Sequence, residues 1–209
     1  MRFMRIGIDI DNTIICYDHV FAAVANSRGF CVQSSASKTE VKKWFHERDM
    51  HQAFTHLQGE VYGKFIDLAN LFDGVLAFIE FAKKSGCHLF LVSHKTRYPL
   101  VGEKVDLHKS ARNFLIDNNV ISKCGGVGVP PNNVFFESSF DRKINRISTL
   151  NLDFFIDDLL QVFEHLNFPK TTNFVHFSRD LVKNVPNGKV STFQNWKEIL
   201  PFLFREYLK

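Results

Sequence analysis

The stretch Arg5-Ile6-Gly7-Ile8-Asp9-Ile10-Asp11-Asn12-Thr13 decides how the rest of this chain is read. Residues 5–10 are short, β-branched and largely apolar, and they close on Asp-Asn-Thr, which reads as a buried strand running into a polar turn. In an extended chain, side chains two residues apart share a side, so Asp9 and Asp11 lie together. Burying two negative charges this close is costly unless a cation or a shared proton compensates, so the pair predicts a metal. The plain alternative is a solvated loop with an Asx-turn. Position favours the site, because ligands of open α/β sheets bind beyond the carboxyl ends of strands.

Working outward, four further apolar runs read as buried strands: Cys87 to Val92, Asn133 to Phe136, Asp153 to Ile156 and Asn173 to Phe177. They are continuous, as burial on both faces demands. Helical patterns separate them. Leu107, Ala111, Phe114 and Leu115 share a face; Ile144, Ile147 and Leu150 recur every three residues; Trp196, Ile199, Leu200, Leu203 and Tyr207 form a C-terminal stripe. Strands alternating with helices imply an α/β chain with a parallel sheet between layers of helices.

One interval breaks the rhythm. A βαβ unit needs only about 30 residues, yet Asp11 and Ser93 are much further apart, so something is inserted. From about Tyr17 to Phe72 there are at least two more helical patterns, Val41, Trp44 and Phe45 on one, Leu57, Val61, Phe65 and Leu68 on the other. Residues 75–84 then resume the core helix. The expected organisation is a core of residues 1–16 and 73–209 carrying a small helical cap of residues 17–72. The glycine- and proline-rich Gly125 to Asn133 reads as a loop.

Three other constellations sit at strand ends. Phe154-Phe155-Ile156 runs into Asp157-Asp158 and then an apolar helix from Leu159. One aspartate would serve as a helix N-cap; two adjacent ones invite another reading. Ser93 ends the run Leu89 to Val92 and is followed by His94, Lys95, Thr96 and Arg97. Its hydroxyl either caps a turn or faces an anion held between the acidic strand ends. Lys143 opens a helix, where a surface lysine is the ordinary expectation.

Taken together and in order, these residues resemble the haloacid dehalogenase superfamily. The DxDx(T/V) motif matches Asp9, Asp11 and Thr13, the strand ending in Ser or Thr matches Ser93, the lysine matches Lys143 with Lys95 as a rival, and the double acid matches Asp157 and Asp158. The resemblance spans nearly the whole chain and implies a Rossmann-like core. It also implies a magnesium-dependent phosphohydrolase acting on a small phosphomonoester, a sugar phosphate or a nucleotide. Asp9 would be the nucleophile forming an aspartyl phosphate. Asp11 would be the acid and base. Asp9, Asp11 (through its carbonyl), Asp157 and Asp158 would hold Mg2+, while Thr13, Ser93, Lys143 and Lys95 would bind the phosphate. The second acid favours phosphate over haloacid chemistry, since a departing halide needs no proton. A phosphomutase or phosphotransferase would use the same residues, and a non-catalytic binding protein would keep the fold alone.

Composition bounds the remaining possibilities. The chain has 209 residues, 45% hydrophobic with 23 Phe, enough to build a core without staples. Its net charge of +4 is scattered, so nucleic acid is not the expected partner. The four cysteines, Cys16, Cys31, Cys87 and Cys124, show no metal spacing and fit a reducing cytoplasm. No apolar run approaches the roughly 18 residues of a membrane span, and Asp9 and Asp11 break any signal-peptide core at the N-terminus. His46, His51 and His56 in the inserted segment are spaced by five, which matches no i, i+4 ligand pair.

Overall fold

The computed structural model describes residues 3–123, 126–179 and 190–205. Its centre is a six-stranded parallel sheet in the order β5-β4-β1-β6-β7-β8, formed by β1 (Arg5–Ile8), β4 (His88–His94), β5 (Val134–Glu137), β6 (Phe154–Asp157), β7 (Asn173–Phe177) and β8 (Val190–Phe193). The five strands expected from apolar runs are all present, with ends shifted by one or two residues. The sixth, β8, was not expected from the sequence. Its Val190-Ser191-Thr192-Phe193 is half-buried throughout and pairs only with β7, so the edge lacks the apolar run of a central strand.

The α/β expectation holds. Helices α4 (Val75–Lys84), α5 (Leu107–Asp117), α6 (Phe140–Thr149), α7 (Leu160–Glu164) and α8 (Trp196–Leu203) follow the strands. Buried residues form two clusters. One contains Ile6, Ile8, Leu91, Phe78 and Trp196, the other Phe90, Val92, Ile144, Ile147 and Phe155. Neighbouring β4 residues, Leu91 and Val92, thus feed opposite layers, as side-chain alternation requires. The apolar helix expected from Leu159 is shorter than its pattern suggested, five residues with Leu159 as N-cap. Tyr207, Gly125 and Cys124 lie outside the described residues.

Gly7 shows how tightly β1 is held. A Cβ there would come within 2.7 Å of Phe155 Cδ2, so the strand leading to Asp9 lies against its neighbour with no room for a methyl group.

The inserted segment holds three helices, α1 (Asp18–Ser27), α2 (Lys38–His46) and α3 (His51–Tyr62). It leaves and returns through a short antiparallel pair, β2 (Ile15–Cys16) with β3 (Asn70–Leu71). Ser37 starts α2 with a reciprocal capping box to Glu40, which satisfies two helix-terminal N–H groups. Helix α3, expected from Leu57, Val61, Phe65 and Leu68, stops at Tyr62, short of Phe65 and Leu68. Gly63 ends it, Ile66–Leu68 forms a 3-10 turn, and Leu68 is 54% exposed. The three helices bury an aromatic cluster in which Phe21, Phe45, Phe54 and Tyr62 are in ring contact.

Candidate functional site

Parallel pairing sets the site. Ile8 is level with Leu91 on one side and Ile156 on the other, so Asp9, Ser93 and the Asp157-Asp158 pair emerge at one carboxyl edge. Immediately beyond, Asn12 takes a left-handed conformation (φ 62°). This tight turn is closed by Asn12 N–H to the Ile15 carbonyl (2.8 Å) and by Ile14 and Ile15 N–H to the Ile10 carbonyl, both at 2.9 Å. It reverses the chain so that Asp9 and Asp11 face one space; asparagine tolerates this conformation better than most residues.

Lys143 joins two of the acids. Its Nζ lies 2.6 Å from Asp9 Oδ1 and 2.6 Å from Asp157 Oδ2, and only 2% of its side chain is exposed. The surface-lysine expectation fails because α6 begins directly after β5, with Ser139 as N-cap, and its first full turn carries Lys143 inward beneath the strand ends. Burial disfavours its charge, yet Asp157 and Asp9 outweigh that and raise its pKa. Asp157 Oδ1 meanwhile accepts the Leu159 N–H at 2.9 Å, so both Asp157 oxygens are engaged. Helix α7 has no side-chain cap, so neither Asp157 nor Asp158 is there as an N-cap.

Asp9, Asp157 and Asp158 each offer a carboxylate oxygen, all within 4.8 Å of one another. Burial and then the neighbouring Asp157 push the Asp158 pKa to about 7. Asp9 is pushed well up by burial; Lys143 opposes the shift, and Asp157, Asp158 and Asp11 add to it. Three convergent hard oxygen donors, only partly neutralised by one lysine, fit a divalent cation of the magnesium class.

Asp11 belongs to a different pair. Lys95 Nζ stands 2.8 Å from Asp11 Oδ2, and the Tyr17 hydroxyl donates to Oδ1 at 2.7 Å. Burial would raise the Asp11 pKa, but the Lys95 charge and these two hydrogen bonds outweigh it and hold the carboxyl low. The two rival lysines are therefore both buried and both paired, Lys143 on Asp9 and Lys95 on Asp11.

The Ser93 hydroxyl is buried with no hydrogen-bond partner among the described residues, an arrangement native structures rarely leave without an acceptor. Thr13 lies elsewhere in the arrangement. Its hydroxyl is directed at Asp158 Oδ1, 3.4 Å away, and its carbonyl accepts from Trp196 Nε1 at 2.9 Å, which ties the turn to α8.

A cavity of about 190 Å³ collects these groups, lined by Asp9, Asp11, Ser93, Lys143 and Asp158 together with Lys38, Gln58 and Tyr62 from the inserted helices. Sequence reading did not single out Tyr17, Lys38, Gln58 or Tyr62. Tyr17 alone carried a signal, standing six residues after Asp11. His46 and His51 stack edge to face, centroids 4.4 Å apart, and His56 lies 3.7 Å from Glu60, all away from the cavity.

Neither family models nor curated proteins match this chain. Solved structures do. YfnB from Bacillus subtilis, described as a HAD-hydrolase bound to magnesium, aligns over 97% of this chain and 99% of its own with a TM-score of 0.56. A HAD family hydrolase from Deinococcus radiodurans with bound phosphate and sodium aligns over 99% and 97% at 0.55. A predicted phosphoglycolate phosphatase from Haemophilus somnus aligns over 97% and 99% at 0.51. The fold is that of the HAD-superfamily hydrolases. Identities of 13%, 10% and 15% to these three make this a likeness of architecture, which leaves function to be argued from the site. Among the described residues no helix is long and apolar enough to cross a membrane.

Proposed function

We propose that this HAD-fold chain is a magnesium-dependent phosphohydrolase acting on a small phosphomonoester. The observation that carries the reading is Lys143 bridging Asp9 and Asp157 at 2.6 Å each, with Asp158 alongside, at the carboxyl edge of the sheet. A buried lysine and three acids around an unpartnered serine hydroxyl serve no evident purpose in packing. They suit a dianion bound together with a cation.

In this reading Asp9 attacks phosphorus in line with the ester oxygen, forming the Asp9 Oδ–P bond as the P–O ester bond breaks. Lys143 holds Oδ1 and thereby orients the carboxylate. Asp11, whose carboxyl Lys95 and Tyr17 hold low, takes up the proton of the monoanionic ester as it binds and gives it to the departing oxygen; it then takes a proton from the water that attacks the aspartyl phosphate and passes it to the released phosphate, so both aspartates return to their starting forms. Ser93 donates its hydroxyl hydrogen to a phosphoryl oxygen, and the Lys143 ammonium offsets the negative charge on the oxygens of the transferring group. Magnesium would be held by Asp9, the Asp11 carbonyl and the Asp157-Asp158 pair, of which Asp158 is the freer. When bound, it supplies the charge that lets a carboxylate approach a phosphate.

Two sequence-level assignments shift in this scheme. Thr13 holds Asp158 and the turn instead of binding phosphate, and Lys95 holds Asp11. The inserted helices act as a cap, since Lys38, Gln58 and Tyr62 close the cavity over the aspartates. Phosphate release from a panel of phosphomonoesters, with magnesium and after chelation, tests the reading. Release that requires metal and disappears in Asp9→Asn supports it; no release from any activated or natural ester refutes it.

A further inference from the structure

The peptide unit that joins Asp158 to Leu159 is held at both of its polar ends. Its N–H donates to Asp157 Oδ1 at 2.9 Å, and its carbonyl, that of Asp158, accepts from His176 Nε2 at 3.1 Å. Here the chain leaves β6, whose last residue Asp157 is level with His176 on β7, and bends towards α7. The strand fixes the backbone before Asp158, and the two hydrogen bonds fix the planar unit after it. The direction in which the Asp158 side chain leaves the backbone is thereby set.

His176 stands between Val175 and Phe177 and is only 3% exposed. Asp157, His176 and Thr192 are level across β6, β7 and β8, so their side chains stand side by side on one face of the sheet. The imidazole lies nearly parallel to the Phe174 ring, at 18°. A carbonyl can only accept, so Nε2 carries the ring hydrogen. In the neutral ring Nδ1 is then a bare lone pair, and Thr192 Oγ1 lies 3.3 Å from it. The Thr192 hydroxyl donates to Nδ1 and so selects the tautomer that reaches Asp158.

A buried histidine ordinarily makes two hydrogen bonds to satisfy its own nitrogens. Here the partner gives the bond a further consequence. Among the three acids whose oxygens converge within 4.8 Å, Asp9 and Asp157 are each fixed by Lys143 at 2.6 Å. The side chain donating to Asp158 is Thr13, 3.4 Å away, so the aim of Asp158 comes chiefly from its backbone. Magnesium demands near-ideal octahedral geometry, and a donor free to swing serves it poorly.

We infer that His176, kept in its tautomer by Thr192, is a positioning residue that aims the Asp158 carboxylate at the cation site shared with Asp9 and Asp157. The inference rests on the magnesium assignment made above. It gives edge strand β8 a part in the site although none of its residues reaches the cavity.

The test uses the full chain stripped of metal by chelation and reads magnesium binding by calorimetric titration in the parent, His176→Phe, His176→Gln and Thr192→Val. Loss of a partner that orients a metal donor typically weakens binding about 10- to 100-fold, which is the effect expected of His176→Phe. His176→Gln, whose amide nitrogen can stand where Nε2 stood, should restore most of the affinity. Thr192→Val, nearly isosteric, should weaken binding in the same direction by a smaller factor. The magnesium concentration for half-maximal turnover should rise in step, while kcat at saturating metal stays near the parent's. In the metal-free parent, the nitrogen spectrum of the His176 ring should show the hydrogen on Nε2.

Parent affinity in His176→Phe overturns the inference, as do equal losses in His176→Phe and His176→Gln or a ring protonated on Nδ1 alone. If His176→Phe does not fold, parent affinity in Thr192→Val overturns it instead. Magnesium binding that weakens in these variants while the parent hydrolyses no ester keeps the positioning role and discards the phosphohydrolase reading. A parent that hydrolyses esters but binds no magnesium discards the metal and the inference together.

Discussion

Lys95 Nζ stands 2.8 Å from Asp11 Oδ2, with 2% and 13% of their side chains exposed. This ion pair ties the residue two places after Ser93 to the residue two places after Asp9, so the ends of neighbouring strands are joined by charge as well as by the ladder. A pair so removed from water is costly to break from one side, because the surviving charge stays buried. Lys95→Met should therefore destabilise the chain by roughly 3 kcal/mol. Adding Asp11→Asn should recover a large part of that loss. Chemical denaturation of the parent, both single variants and the double variant reads the coupling; strictly additive losses would show that the pair contributes nothing.

The Asp158 carboxyl gives a pH signature. Its folded pKa of about 7 lies above its ordinary value of 3.8, so between these values the folded state binds more protons than the unfolded one, and the group's contribution falls as pH rises through that window. Without metal, Asp158→Asn should melt above the parent at pH 8, and the difference should shrink towards pH 4. A difference independent of pH would contradict the shift.

Metal should act on the same cluster. Magnesium at a hundredfold excess over its dissociation constant should add about 2.7 kcal/mol to stability, and the gain should disappear in an Asp9→Asn, Asp158→Asn double variant. Calorimetric titration and thermal melts check this independently of turnover. An unchanged melting temperature in the parent counts against the site.

For catalysis, Asp9→Asn should leave the fold intact and reduce turnover to background, since it removes the nucleophilic charge with almost no change of shape. Asp11→Asn should cost about 10²- to 10⁴-fold, most with poor leaving groups. Comparable losses on good and poor leaving groups would remove Asp11 from the role of acid.

Gly7→Ala tests the packing beneath the site. The added methyl would sit 2.7 Å from Phe155 Cδ2, and overpacking of this kind costs about 1–3 kcal/mol. A variant as stable as the parent would mean that β1 and β6 yield more readily than their contact suggests.

The features legible in the amino-acid letters alone are local and repetitive. Apolar runs of strand length, helical stripes and punctuation by Asp, Asn and Gly fix which segments are strands, and the burial of β4 and β6 on both faces makes them legible. The acidic strand ends were legible for the same reason, since charge at the end of an apolar run stands out. Edge strand β8 was not, because half-buried Val190-Ser191-Thr192-Phe193 carries no such run. The partners of these residues are set by the packing of distant segments. Lys143 and Lys95 are indistinguishable as letters, but the turn from β5 into α6 carries one to Asp9 and the continuation of β4 carries the other to Asp11. Thr13 turned toward Asp158 because Trp196, far along the chain, fixes its carbonyl. Lys38, Gln58 and Tyr62 reach the cavity through the packing of the inserted helices, and that packing depends on contacts between distant segments, such as Gly59 against Pro99. Periodicity reports the face a residue occupies on its own element; which element comes to meet it is settled by close packing of the whole chain.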